Sequence, residues 1–108
     1  MTFYVKQNDT APSLRATLKD GSNTVIDVTN ATVRFHMRAF GSGTAKVDAA
    51  AGIISPATNG VVQYNWIAAD TDTIGSYQGE FEITYQDGSI ETFPNNGYIL
   101  IEIIDDIT

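Results

Sequence analysis

The stretch Gly75-Ser76-Tyr77-Gln78-Gly79-Glu80-Phe81-Glu82-Ile83-Thr84-Tyr85-Gln86-Asp87-Gly88 decides the fold. Within it Phe81, Ile83 and Tyr85 alternate with Glu80, Glu82, Thr84 and Gln86. Successive side chains of a strand point to opposite faces, so this run offers one apolar and one polar face. That is the signature of a half-buried antiparallel strand. Asp87-Gly88 reads as a two-residue hairpin turn into a strand starting near Ser89.

The same period of two recurs on both sides. Leu14, Ala16 and Leu18 alternate with Ser13, Arg15, Thr17 and Lys19, and Val33, Phe35 and Met37 alternate with Arg34, His36 and Arg38. Val62, Tyr64 and Trp66 are separated by Gln63 and Asn65, and Ile99, Ile101 and Ile103 close the series around Glu102. Asp20-Gly21, Gly41-Ser42-Gly43, Asn59-Gly60 and Asn96-Gly97 supply turn residues that tolerate positive φ, and Pro12, Pro56 and Pro94 fall at the ends of runs. The expected strands are 2–7, 13–19, 24–28, 31–39, 44–49, 52–55, 60–66, 76–86, 89–93 and 98–104, with one helical turn at Ile67–Thr71.

Short strands at this spacing predict an all-β, antiparallel β-sandwich. In immunoglobulin-like sandwiches a tyrosine near the start of the sixth strand turns its hydroxyl back onto upstream backbone, the tyrosine corner. Tyr77 fits that role after the acidic turn Asp70-Thr71-Asp72-Thr73, and Gly79 stands where antibody domains carry their second cysteine. Trp66, Phe35, Phe81 and Ile101 are the expected core between the two sheets.

A chain of 108 residues suits one domain, taken as 1–108. With 43% hydrophobic and 18% charged residues it is neither disordered nor membrane-embedded. Apolar runs such as Ile99-Leu100-Ile101 are too short for a membrane-spanning helix, and Met1–Lys6 lacks the basic and apolar regions of a signal peptide. Without cysteine, disulfides, thiolate catalysis and cysteine zinc sites are excluded.

The net charge of −7 argues against nucleic acid or an anionic membrane as partner. Its distribution is lopsided: every Lys and Arg lies at or before Lys46, giving net +3 to that point and −10 beyond it. Two uses are open. The charges pair across strands inside the domain, or a basic face meets an acidic face on a neighbour.

Catalytic chemistry is hard to build from these residues. His36, the one histidine, shares a strand face with Arg34 and Arg38 and has no carboxylate close in sequence to orient it. Glu80 and Glu82 share a face but read as solvated strand residues, not a split acid–base pair. Gly41-Ser42-Gly43-Thr44-Ala45-Lys46 lacks the ending of a phosphate loop and should lead into a hairpin. Asp70, Asp72, Asp105 and Asp106 lack the spacing of a calcium loop, and the glycosylation pattern Asn30-Ala31-Thr32 has no meaning without secretion. No enzyme activity, cofactor or metal is expected. Arg34, His36 and Arg38 are the candidate interface, with internal pairing to Glu80 and Glu82 as the competing use of those charges.

The order of motifs resembles a known family. Phe3-x-Val5-Lys6-Gln7-Asn8-Asp9-Thr10-Ala11-Pro12 is followed by Leu18-x-Asp20-Gly21, Val25-Ile26-Asp27-Val28-Thr29 and Ala31-Thr32-Val33-x-Phe35-x-Met37. Gly60-x-Val62-x-Tyr64-x-Trp66, Gly75-x-Tyr77-x-Gly79-Glu80-Phe81, Asp87-Gly88 and Thr92-x-Pro94 complete the series. It is similar to the N-terminal immunoglobulin-like domain of tailed-phage upper baseplate proteins and related small virion proteins. The resemblance implies a non-enzymatic virion component, present in multiple copies or as a homo-oligomer and docking onto other virion structural proteins. Upper baseplate proteins continue into a coiled-coil or receptor-binding-carrier region, whereas this sequence ends at Thr108, so a plug-in domain is expected. The absence of cysteine suits assembly in a bacterial host cytoplasm. A capsid decoration protein would share the fold. A carbohydrate-binding module would need a row of exposed aromatics, whereas Tyr64 and Trp66 fall on the apolar side of their strand.

Overall fold

Strand β4 (Ala45–Ile53) holds the molecule together, because it belongs to both of its sheets. The computed structural model describes residues 1–107. In the larger sheet β4 is followed by β3 (Thr32–Ala39) and β6 (Gly75–Thr84). Along its far side β6 carries first β8 (Ile99–Ile104) and then β7 (Ile90–Phe93), and β8 pairs outward with β1 (Thr2–Lys6). The smaller sheet runs from β4 through β5 (Val61–Tyr64) to β2 (Leu14–Thr17). The all-β sandwich expected from the alternation is present.

Where β4 leaves one sheet for the other, Ala51 pairs with Val33 and the next residue, Gly52, pairs with Gln63. The sequence reading split this element into 44–49 and 52–55. The run Ala49-Ala50-Ala51-Gly52 is instead continuous strand, and its small side chains allow the bend between layers. Segment 24–28 is not a strand. It holds a single bridge, Lys19 to Val25, and Asp27 turns it by accepting from the Thr29 amide at 2.9 Å. That turn delivers Val28, fully buried, into the core from a loop.

Two further expectations need correction. β1 runs parallel to β8, not antiparallel, since alternation reports which face is buried and says nothing of a neighbour's direction. Asp87-Gly88 is the end of a three-residue loop, not a two-residue turn. The Tyr85 amide donates to Ser89 O at 2.8 Å, the Gly88 amide to Tyr85 O at 2.9 Å, and Gly88 is left-handed at φ 88°.

Aromatic rings fill the space between the sheets. Phe35 stacks on Tyr64 at 4.7 Å and meets Trp66 edge-on at 5.6 Å and Phe81 at 5.2 Å. Trp66, Phe35, Phe81 and Ile101 are all buried, as expected. The Tyr77 hydroxyl donates to Thr73 O at 2.7 Å, which forms the tyrosine corner. At Gly79 a β-carbon would stand 2.5 Å from Ile101 Cδ1 and 3.1 Å from the Phe35 ring. The core therefore occupies the volume that a cysteine would need there.

The expected helical turn is a short 3-10 turn, Ala68–Thr71. Asp70 sits buried beneath it, accepting from the Tyr64 hydroxyl at 2.6 Å and from the Ile67 amide at 3.0 Å. A buried carboxylate is tolerable only with such donors. A second 3-10 turn, Ala57–Asn59, was not expected and ends on left-handed Gly60, where a β-carbon would lie 2.5 Å from Ile26 O.

Candidate docking face

Val33, Phe35 and Met37 point from β3 into the core, so Arg34, His36 and Arg38 point outward from the larger sheet. The register places Arg34 between Ala50 of β4 and Glu82 of β6, and His36 between Asp48 and Glu80. Arg38 lies opposite Gln78. The three residues singled out in the sequence do share one face.

Their partners differ from those expected. Arg34 donates to Asp48 Oδ1 through Nε at 3.1 Å and Nη2 at 2.8 Å, and Nη2 also reaches Asp48 O at 2.9 Å. His36 Nε2 lies 3.2 Å from the same Oδ1. A long guanidinium spans the diagonal of a strand pair easily, and Asp48 gathers both groups. The hydrogen bond from Arg34 holds the Asp48 carboxyl below the usual range; burial opposes this, and the charges of Arg34 and His36 add to it. Glu80 and Glu82 are half-buried and, among the described residues, make no ion pair.

Arg38 has no carboxylate partner among the described residues either. Its Nε donates to Gln78 Oε1 at 3.0 Å, Nη2 donates to the Tyr98 hydroxyl at 3.3 Å, and the guanidinium stands 5.4 Å from the centre of the Tyr98 ring. His36, Arg38, Gln78, Glu80, Ala45 and Tyr98 line a shallow groove of about 230 Å³.

Exposed apolar side chains gather around these charges. Tyr4 is 62% exposed, Phe40 56% and Ile90 63%, with Tyr98 and Ile104 also exposed. Tyr4 pairs with Glu102, Glu102 with Ser76, and the Phe40 amide donates to Ser76 O, so these side chains form one row across the outer face. Ile90 projects opposite Thr84 and Ile104 opposite Lys6. Half of the ten exposed large apolar residues among those described thus lie on this one face. They are spread along the face, with Ile90 at the Thr84 end of β6 and Ile104 beside its Gly75 end, so they frame the central charges without forming one patch.

The outer face of the smaller sheet is the contrast. Ser13 donates to Asn65 Oδ1 at 2.7 Å, Arg15 Nη2 to Gln63 Oε1 at 2.6 Å, and Gln63 to Asn65 at 2.8 Å. This ladder satisfies its own polar groups.

The remaining candidates are placed elsewhere. Asp70 is committed to Tyr64, and Asp72 accepts from Lys46 Nζ at 2.7 Å. Among the described residues no group of three or more His, Asp or Glu is arranged to hold a metal ion. Gly41–Lys46 joins the antiparallel strands β3 and β4, with the Ser42 amide donating to Ala39 O. Tyr64 and Trp66 are buried and cannot form an exposed sugar-stacking platform. Asp48, Gln78 and Tyr98 belong to the candidate face and were missed in the sequence. Alternation alone could have placed Asp48 outward, but pairing it with His36 required the register across the 40–44 loop.

The fold resembles the crystal structure of CopC from Methylosinus trichosporium OB3b, with a TM-score of 0.55 at 12% identity, covering 99% of this chain and 87% of that one. At such identity the likeness concerns the fold alone. No curated protein matches the sequence. The BppU N-terminal domain family matches residues 1–96, nearly the whole chain, and its register includes every strand through β7. The chain therefore belongs to the BppU N-terminal domain family, the N-terminal domain of the phage baseplate upper protein, and is a virion-associated structural domain.

Proposed function

We propose that this domain is a non-enzymatic docking module that attaches to other virion proteins through the outer face of its larger sheet. One observation carries the reading. Exposed Tyr4, Phe40, Tyr98, Ile90 and Ile104 surround an Arg38, a Glu80 and a Glu82 that lack ionic partners in the described chain, while the opposite face satisfies itself. Aromatic residues and arginine are the types enriched in protein interfaces. The charge asymmetry of the sequence is used partly inside the fold, since Arg34–Asp48 and Lys46–Asp72 join its basic and acidic parts. Arg38 is left for a partner.

The test replaces Arg34 and Arg38 together with Gln and measures thermal stability and incorporation into particles. Arg34 and Asp48 are an exposed pair, so stability is expected to change by no more than about 1 kcal/mol. Incorporation is expected to be lost. Normal incorporation with reduced stability would assign these charges to the fold and overturn the reading.

A further inference from the structure

We propose that the open edge of β2 is a separate docking site, which takes an extended segment of another protein, alternately apolar and acidic, as an added strand. This goes beyond the docking reading above, whose face is the outside of the larger sheet.

The two sheets share β4 on one side of the sandwich, and on the other side they part. There β2 ends the smaller sheet, and a cleft of about 250 Å³ opens between the layers. Ala16 and Leu18 line it from the smaller sheet, and Phe81, Phe93, Pro94 and Ile99 line it from the larger one. A period of two sends Leu14, Ala16 and Leu18 inward, and Ala16 is the small one among them.

The backbone along this edge is open. The Leu18 amide donates to Gly60 O at 2.8 Å, so Leu14, Ala16 and Leu18 turn their backbone groups toward β5. Arg15 and Thr17 turn theirs the other way, where their N–H and C=O groups have no backbone partner among the described residues. A strand laid beside β2 would pair with these groups. Its residues opposite Ala16 and Leu18 would enter the cleft, and those opposite Arg15, Thr17 and Lys19 would stand outside.

Charge selects the occupant. Arg15 and Lys19 are exposed, and neither forms an ion pair among the described residues; the Arg15 guanidinium donates to Gln63 Oε1. Asp20, next to Lys19, turns a carboxylate oxygen to the Ser22 and Thr24 amides at 2.9 and 3.0 Å. An incoming strand with apolar side chains toward the cleft and carboxylates outside therefore complements both sides of the edge. A second copy of the edge does not, because β2 against β2, antiparallel and centred on Thr17, sets Arg15 beside Lys19.

The test uses a synthetic peptide of about eight residues in which valine and glutamate alternate, titrated into the intact chain and followed by nuclear magnetic resonance. Binding is expected to be weak and to weaken further as salt rises. The Arg15 and Thr17 amides should exchange with solvent freely in the chain alone and slow down when the peptide is present. Thr17→Pro removes an edge N–H that the β2–β5 ladder does not use, and should lower affinity by about tenfold. Arg15→Glu with Lys19→Glu should transfer binding to a peptide in which valine and lysine alternate. Thermal unfolding checks that both variants fold; if Thr17→Pro does not, the charge exchange and the amide protection carry the test. A glutamate peptide that does not bind at its solubility limit overturns the site. So does protection that appears on β1 or β7 instead, or a charge-reversed variant that still prefers the glutamate peptide.

Discussion

At Tyr77 and Gly79 a local sequence pattern and a tertiary constraint meet. Tyr77 is buried with its hydroxyl on Thr73 O at 2.7 Å, and two residues later a β-carbon would have to displace the Ile101 and Phe35 side chains. The hydrogen bond fastens the start of β6 to the turn before it, and the glycine lets β6 lie against the core. Tyr77→Phe keeps the ring and removes one hydrogen bond. It is expected to cost about 1 kcal/mol in urea unfolding with the fold intact, and a variant as stable as the parent would deny the corner any energetic role.

Among the elements, β5 and the two residues after it matter most for packing. β5 pairs with β4 and β2 in the smaller sheet, while Tyr64 and Trp66 reach across to Phe35 of the larger one. Trp66 is buried, and its indole N–H has no hydrogen-bond partner. Trp66→Ala should cost on the order of 3–5 kcal/mol, since it opens a cavity between the sheets. Trp66→Phe should cost clearly less, because it also removes the unpaired donor. Both are read from denaturant midpoints, and an unchanged midpoint in the alanine variant would contradict the burial of this side chain. The sequence identified β6 because its alternation is strict, and β5 and β8 because their inward positions Val62, Tyr64, Ile99, Ile101 and Ile103 keep the period of two. It divided β4 wrongly because a strand that changes sheet in an Ala-Gly run has no such alternation to read.

For the whole molecule the ionisable groups set the pH range. Burial, then the hydrogen bond to Asp70 and its charge, raise the Tyr64 hydroxyl well above its ordinary value. Burial and Glu91 push Tyr85 up to about 12. An unfolded tyrosine ionises near pH 10, so the folded state holds these protons more tightly. Their contribution to stability is complete below about pH 10 and is lost as pH rises through the folded values. At the acid end the signs reverse. Asp48, with its hydrogen bond from Arg34, and Asp72, with its hydrogen bond from Lys46, are lowered, so what they contribute is present above about pH 4 and lost as pH falls. The unfolding midpoint is therefore expected to drop on the alkaline side above about pH 10, and Tyr85→Phe should flatten that drop. A parent profile flat through pH 11 would contradict the tight holding of these protons.

The sequence by itself determined the all-β class, the faces of the strands, the aromatic core and the outward row Arg34, His36, Arg38, because a period of two assigns each side chain to a side. The tyrosine corner was legible for the same local reason. Only the tertiary structure decided that β1 lies parallel to β8, that β4 serves both sheets, and that Asp48 rather than Glu80 or Glu82 takes Arg34 and His36. Alternation specifies which way a side chain points; which strand lies beside it, in which direction and in which register, follows from loop paths and from packing the two layers together.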